Sequence, residues 1–145
     1  MESEGMSAEE QRTWAYGICA VFGLLGYLAM LLARRSPEGI AETAYVVPMS
    51  IAIAGSVIAG IVANIVIGMR SDDAGTDVRD DQLYRQGEYA GHWVLVAGAI
   101  GALILAVREV DWFWISQTIY LAFVGSAIVS SVVRIAGYRR GFAPW

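Results

Sequence analysis

Few side chains in this chain are of a type and spacing that could do chemistry, and together they support little of it. His92 is the only histidine and Cys19 the only cysteine, so the sequence offers no His/Cys cluster for zinc and no intramolecular disulfide. A lone imidazole at this place reads as a polar residue near a helix end rather than a haem ligand. Glu88 and His92 stand four residues apart and could share a proton on one helix face, yet a general acid and base need a substrate pocket that no motif here announces. Gly87 and Gly91 form a GxxxG pair, and with no strand before it this is a helix-contact motif and not a phosphate cradle. The expectation is a non-enzymatic protein with no catalytic set, no metal and no cofactor.

The other polar residues of interest lie inside apolar stretches. Asn64, Ser126, Ser130 and Arg134 are the intramembrane polar positions. One reading makes Asn64 and Arg134 a polar site near one membrane face. The simpler reading makes them an interhelical hydrogen-bonding residue and a cation that snorkels to the interface, and it is favoured because neither has a carboxylate partner within the spans. A channel lined by Ser50, Ser56, Asn64, Ser126, Ser130 and Ser131 is the transport alternative.

The elements that carry these residues follow from hydropathy. Of 145 residues, 57% are hydrophobic, and the mean hydropathy is +0.52, both high for a soluble domain. A membrane-spanning helix needs ~20 mostly apolar residues. Four stretches qualify, at 14–33, 45–69, 89–107 and 112–135. The fold class is therefore an all-α integral membrane protein forming a single membrane domain over 1–145. The segment before the first span carries Glu2, Glu4, Glu9 and Glu10 against Arg12, the wrong charge for a secretory signal, so the first span is expected to be retained. Ser7 and Glu10 have capping-box spacing, which would start that helix before the membrane. After Asp72 and Asp73, Thr76 or Asp77 can cap the third helix, which then spans 77–107 with a water-exposed extension. On that extension Asp81 and Arg85 have favourable i, i+4 order, and Leu83 and Tyr84 are available for contact.

Orientation follows from arginine alone, since the chain has no lysine. Arg12, Arg70, Arg79, Arg85, Arg134, Arg139 and Arg140 lie on one side, and Arg34, Arg35 and Arg108 on the other, so both termini are expected in the cytoplasm. Trp112, Phe113 and Trp114 would mark the outer interface, and Trp14, Tyr16, Tyr89 and Trp93 the inner one.

Residues 55–70 align without a gap on 125–140, sharing Gly, Ser, Ile, Val, Ile and Arg at matched positions. Duplication would make two helical hairpins in a parallel internal repeat; the alternative is a compositional echo among small apolar residues. Small residues also predict packing, because lipid gives helices no hydrophobic drive to associate. Gly55, Ser56, Gly60, Gly98 and Gly125 are the expected contact positions. The second and fourth helices are expected at the centre of the bundle, with the leucine-rich faces of the first and third toward lipid.

The run Asp77-Val78-Arg79-Asp80-Asp81-Gln82-Leu83-Tyr84-Arg85, followed by two helices and Tyr138-Arg139-Arg140-Gly141, resembles a family of uncharacterised four-helix membrane proteins of archaea and bacteria. In that family an Asp-Glu-Arg triplet precedes the third helix and a basic aromatic end follows the fourth. Val78 stands here where Glu is expected, and Gly87 where Ala is usual. Members are sometimes encoded beside small helix-turn-helix regulators, so the resemblance implies a membrane accessory or regulatory role. The resemblance carries no activity over to any residue; on the charge-rich cytoplasmic loop itself, Asp77, Arg79, Asp80 and Arg85 are the positions expected to contact a partner. The net charge of −4 and the absence of lysine fit an acidic, salt-adapted proteome and make nucleic acid an unsuitable partner. The expected partners are the lipid bilayer, an unidentified protein and a second copy of the chain.

Overall fold

The computed structural model describes residues 8–70 and 78–140, apart from the side chains of Arg70, Arg79 and Arg140. Four helices account for nearly all of it: α1 (Ala8–Ala33), α2 (Val46–Arg70), α3 (Val78–Val107) and α4 (Trp112–Arg140). Each contains a segment long and apolar enough to cross a membrane. At 1.5 Å per residue the helices are about 38–45 Å long, against a hydrocarbon core of about 30 Å, so their ends project beyond it. Phe22 and Leu32 on α1, Ile58 and Ile65 on α2, and Leu103 and Ile104 on α3 are all exposed. Such continuous apolar surface is suited to lipid. The chain is a multi-pass membrane protein.

Element boundaries agree with the sequence for α2 and α3 and extend beyond it elsewhere. α1 starts by Ala8, six residues ahead of the apolar stretch; the capping role expected of Ser7 lies outside the described residues. α4 continues to Arg140 instead of stopping near 135, because its last turns are held against α3. Pro48 falls in the first turn of α2, where its missing N–H leaves no acceptor unsatisfied; the Met49 N–H bonds the Tyr45 carbonyl at 2.9 Å. In the α1–α2 connection Thr43 is the organiser. Its hydroxyl accepts from the Ser36 N–H at 3.2 Å and donates to the Gly39 carbonyl at 3.4 Å.

α3 ends in a Schellman arrangement. The Val110 N–H reaches the Leu105 carbonyl at 3.1 Å and the Glu109 N–H the Ala106 carbonyl at 3.0 Å. This puts Glu109 in the left-handed region at φ 55°, a conformation that costs a residue with a Cβ roughly 1 kcal/mol or more. Glu109→Gly is therefore expected to stabilise the protein by about 1 kcal/mol. A raised thermal midpoint in detergent would show this, and a lowered one would mean that the carboxylate makes a compensating contact.

The helices pack in the order α2, α1, α4, α3. The centre is thus α1 and α4, not the expected α2 and α4. The reason is that α1 presents small residues on two sides. Gly23 receives Ser56 of α2, and Gly17 lies against Ser131 of α4, whose Cβ would stand 3.1 Å from a Cβ at 17. By contrast α2 uses only one side: Gly60 meets the Tyr16 ring, while a Cβ at Gly55 would meet nothing within 4 Å. Gly55 is not a contact position, and Gly125 makes only an ordinary contact with Val94. Gly98 is the tightest of the expected set, its backbone lying directly against the Ala122 methyl. Leucine-rich surface of α1 and α3 does face outward, as expected, but so do the valines and isoleucines of α2.

A two-fold axis relating α1–α2 to α3–α4 would pair α2 with α3 wherever α1 meets α4. No packing between α2 and α3 is comparable to that of α1 on α4. The bundle is consequently open along the α2–α3 side.

At the end carrying the α1–α2 and α3–α4 connections, Tyr27, Leu31, Ala52, Phe113 and Tyr120 form the apolar core. The Tyr27 hydroxyl donates to Gln117 Oε1 at 2.7 Å, and its ring lies 4.7 Å from that of Tyr120. Phe113 is buried edge-on against Tyr45 and so leaves the expected interfacial belt, whereas Trp112 and Trp114 stay exposed.

Candidate binding cavity

At the end of the bundle carrying the termini, the four helices splay around a cavity of about 540 Å³. Its geometry starts from the α3–α4 contact. Gly87 and Gly91 let α3 approach so closely that a Cβ on either would stand 2.8–2.9 Å from the backbone carbonyl oxygen of Ser130 or Ser126. The GxxxG pair is thus a helix contact, and it presents Ser126, Ser130 and Arg134 of α4 to the cavity. Thr13 and Tyr16 line it from α1, Asn64 from α2, and Glu88 and His92 from α3.

Arg134 dominates the electrostatics. Its Nη2 donates to Glu88 Oε1 at 2.5 Å, and its guanidinium sits 4.2 Å from the centre of the Tyr84 ring, where the ring face attracts a cation. Snorkelling to solvent does not describe it, for the Arg134 side chain is 15% exposed while Glu88, the carboxylate partner that no span was expected to supply, is 57% exposed. The cation is the deeper member of the pair. A second pair faces it from α1, where Arg12 Nη1 donates to Glu9 Oε1 at 2.6 Å. The Glu9 carbonyl also accepts from the Thr13 hydroxyl at 2.9 Å. Both guanidinium groups keep one buried nitrogen, Nε, without a hydrogen-bond partner. The lining is therefore formally balanced in charge yet rich in unused donors, because each arginine carries five N–H groups.

The cavity reaches well below the surface. Along α4, Arg134 lies about 33 Å of helix rise from Trp112, and Ser126 about 21 Å. With Trp112 at one interface, Arg134 marks the other, and Ser126 lies inside a hydrocarbon layer of about 30 Å.

Asn64, Ser126, Ser130 and Arg134, distant in sequence, all line this one cavity, joined by Ser131. Ser56 and Ser50 do not: the first packs on Gly23 and the second is exposed on α2. The loop positions fare differently. Asp80 turns inward, its Oδ1 accepting from the Tyr138 hydroxyl at 3.0 Å. Arg85 makes the expected i, i+4 pair with Asp81 at 3.1 Å, on the exposed surface. Asp77, and the side chain of Arg79, lie outside the described residues. Leu83 is not available for an external contact, being buried against Gly137, whereas Tyr84 holds Arg134 over one ring face and stays half exposed. Glu9 and Arg12 were missed as site residues, although their spacing of three on one helix was visible. The Arg134–Glu88 pair bridges helices across 46 positions and had no local signal. Among the described residues no group of three His, Cys, Asp or Glu side chains could hold a metal ion. No protein-family model, curated protein or solved structure matches this chain.

Proposed function

We propose that this chain is a non-enzymatic membrane protein of the small carrier or channel type, whose cavity binds a polar solute from the side carrying the termini. The observation that carries the reading is the convergence of Arg12, Asn64, Glu88, Ser126 and Arg134, from all four helices, on one cavity. The ionisable groups sit at the mouth of the cavity, at interface depth, and the polar lining continues past them to Ser126 inside the hydrocarbon layer, where polar groups facing a bundle interior are candidate solute contacts. The arginine distribution supports an orientation with both termini and the α2–α3 connection cytoplasmic. Reporter fusions after Arg35 and Arg108 should be external and those after Asp77 and Trp145 internal; the reverse pattern would invert the cavity.

Thiol labelling tests the cavity itself. In a Cys19→Ser background, Ser126→Cys and Asn64→Cys should react with a membrane-impermeant maleimide added from the cytoplasmic side, while Ile58→Cys on the lipid face should not. If Ser126→Cys and Asn64→Cys are as unreactive as Ile58→Cys, the cavity is dry and the solute reading fails.

A second reading is an accessory or regulatory protein acting through the α2–α3 connection and, as a homo-oligomer or with another protein, through its cytoplasmic face. The exposed Asp81–Arg85 pair favours it, as does the resemblance to a family encoded beside regulators. A partner captured from native membranes by wild type and lost on Arg85→Glu would support this reading; capture unaffected by that change would count against it.

A further inference from the structure

Charge balance narrows what the polar cavity can hold. With His92 neutral, the ionised side chains of its lining are Glu9, Arg12, Glu88 and Arg134, which sum to zero. A free anion would leave the site with an uncompensated negative charge and a free cation with a positive one, and a net charge in a partly enclosed site of low dielectric is costly. A neutral polyol would answer the guanidinium N–H groups with hydrogen bonds about half as strong as those of a carboxylate. A solute carrying one charge of each sign avoids both penalties.

Arg134 and Glu88 set the separation of the two signs. Arg134 Nη2 bonds Glu88 Oε1, so a full positive and a full negative charge lie side by side at the mouth of the cavity. The guanidinium keeps N–H groups beyond the one given to Glu88, its buried Nε among them without a partner. A carboxylate accepts at both oxygens, and the Glu88 side chain is the exposed member of the pair. In an α-amino acid the ammonium and the carboxylate are joined through a single carbon, so the two charges of one molecule fit crosswise on this ion pair. We propose that the cavity binds a small α-amino acid in its zwitterionic form, the carboxylate on Arg134, the ammonium on Glu88 and a short polar side chain directed toward Ser126 and Ser130. This rests on the solute-binding reading above and names the class of solute.

The lining beyond the ion pair selects the side chain. Past Arg134 and Glu88 it turns from charged to hydroxylic, with Ser126 and Ser130 on α4 and the carboxamide of Asn64 on α2. Such groups both donate and accept, so a short polar side chain finds partners of either kind. Leu95 of α3 and Phe123 of α4 are the lining residues nearest the Trp112 end, and both are apolar, so a long polar side chain would run onto a wall that offers it no hydrogen bond. The zwitterionic headgroup of a phospholipid carries the same two signs, but its ammonium and phosphate are held apart by an ethylene link, a poorer match to adjacent charges.

The test uses the full chain in nanodiscs of phosphatidylglycerol, a lipid without an ammonium group, and follows radiolabelled L-serine by equilibrium dialysis. Serine should bind saturably. Glycerate, which exchanges the ammonium for a hydroxyl, and serinol, which exchanges the carboxylate for a hydroxymethyl group, should each compete at least about tenfold more weakly. Glu88→Gln should erase most of the advantage of serine over glycerate, because it removes the charge that the ammonium faces. Ala127→Trp should weaken serine by at least about tenfold by filling the cavity. Ala127 lines the cavity from an exposed position and belongs to neither ion pair, so this variant keeps the test intact if Glu88 proves necessary for folding. Glycerate binding as tightly as serine would make the ligand an anion, and serinol binding as tightly would make it a cation; either result would overturn the proposal and leave the solute-binding reading standing. Loss of serine binding when part of the lipid is replaced by phosphatidylethanolamine would assign the site to a headgroup and overturn it as well. Unchanged serine binding in Ala127→Trp would place the amino acid outside this cavity, with the same consequence. Absence of saturable serine binding would overturn the proposal alone if Ser126→Cys is still labelled, and the solute-binding reading with it if Ser126→Cys is unreactive.

Discussion

Gly98→Leu is expected to destabilise the protein by at least about 3 kcal/mol, the upper end of what overpacking costs, and to abolish a cooperative thermal transition in detergent if the fold is of ordinary marginal stability. Any Cβ at this position would overlap the Ala122 methyl and stand 3.2 Å from the Ala122 Cα. Backbone is the obstacle, and the α3–α4 crossing would have to open to admit a side chain. The same substitution at Gly55 is the control. Nothing lies within 4 Å of a Cβ there, and Gly55→Leu should leave the midpoint unchanged or raise it through better helix propensity. Gly60→Leu should fall between the two, since its neighbour is the Tyr16 ring, at 3.1 Å, on a side chain that can rotate. If Gly55→Leu proved as damaging as Gly98→Leu, that face of α2 would be covered by another copy of the chain.

Leu83→Ala is expected to cost about 2–5 kcal/mol, the range for truncating a fully buried leucine. Leu83 is 1% exposed although it lies on the part of α3 that projects beyond the apolar stretch, and it fills the space over Gly137, where a Cβ would run into its Cδ2 methyl. Here water, not lipid, is the reference for burial, so the hydrophobic effect acts fully. Loss of Leu83 should also release the Asp80–Tyr138 bond beside it and loosen the cavity wall that holds Tyr84 over Arg134. Faster limited proteolysis near residue 80, together with a lower midpoint, would report this. Gly137→Leu alone should be comparably harmful, whereas Leu83→Ala combined with Gly137→Leu should recover part of the loss, because the pair shares one volume. Strict additivity of the two would show that they do not touch.

The two substitutions bear on function through the same contact. Close approach of α3 to α4 at Gly87, Gly91 and Gly98 brings Arg134 under Tyr84 and beside Glu88. The helix contact is what turns an arginine from a terminal cation into the charged wall of a cavity.

The four spans were legible in the sequence because the requirement they meet is local, whereas the start of α1 and the last turns of α4, which run beyond the apolar stretches, were not. About twenty apolar residues cross a bilayer whatever their neighbours, and backbone groups satisfied within each helix leave no other solution there. The α3 extension and the Asp81–Arg85 pair were legible for the same reason, each depending on residues within four positions. The small-residue stripes were visible too, but not their partners. A stripe states that something approaches closely; it does not state which helix. That choice fell to α1, whose Gly17 and Gly23 open two of its sides, and it placed α1 and α4 at the centre and α2 at the edge. Only the tertiary structure joined Arg134 to Glu88, sent Asp80 to Tyr138 and gathered Asn64 with the α4 serines, because each of these meetings is between helices with no sequence signal linking them. In a bilayer, where apolar surface is satisfied by lipid and association rests on shape and a few polar contacts, such choices are made by the fit of whole helices and not by any run of residues within one.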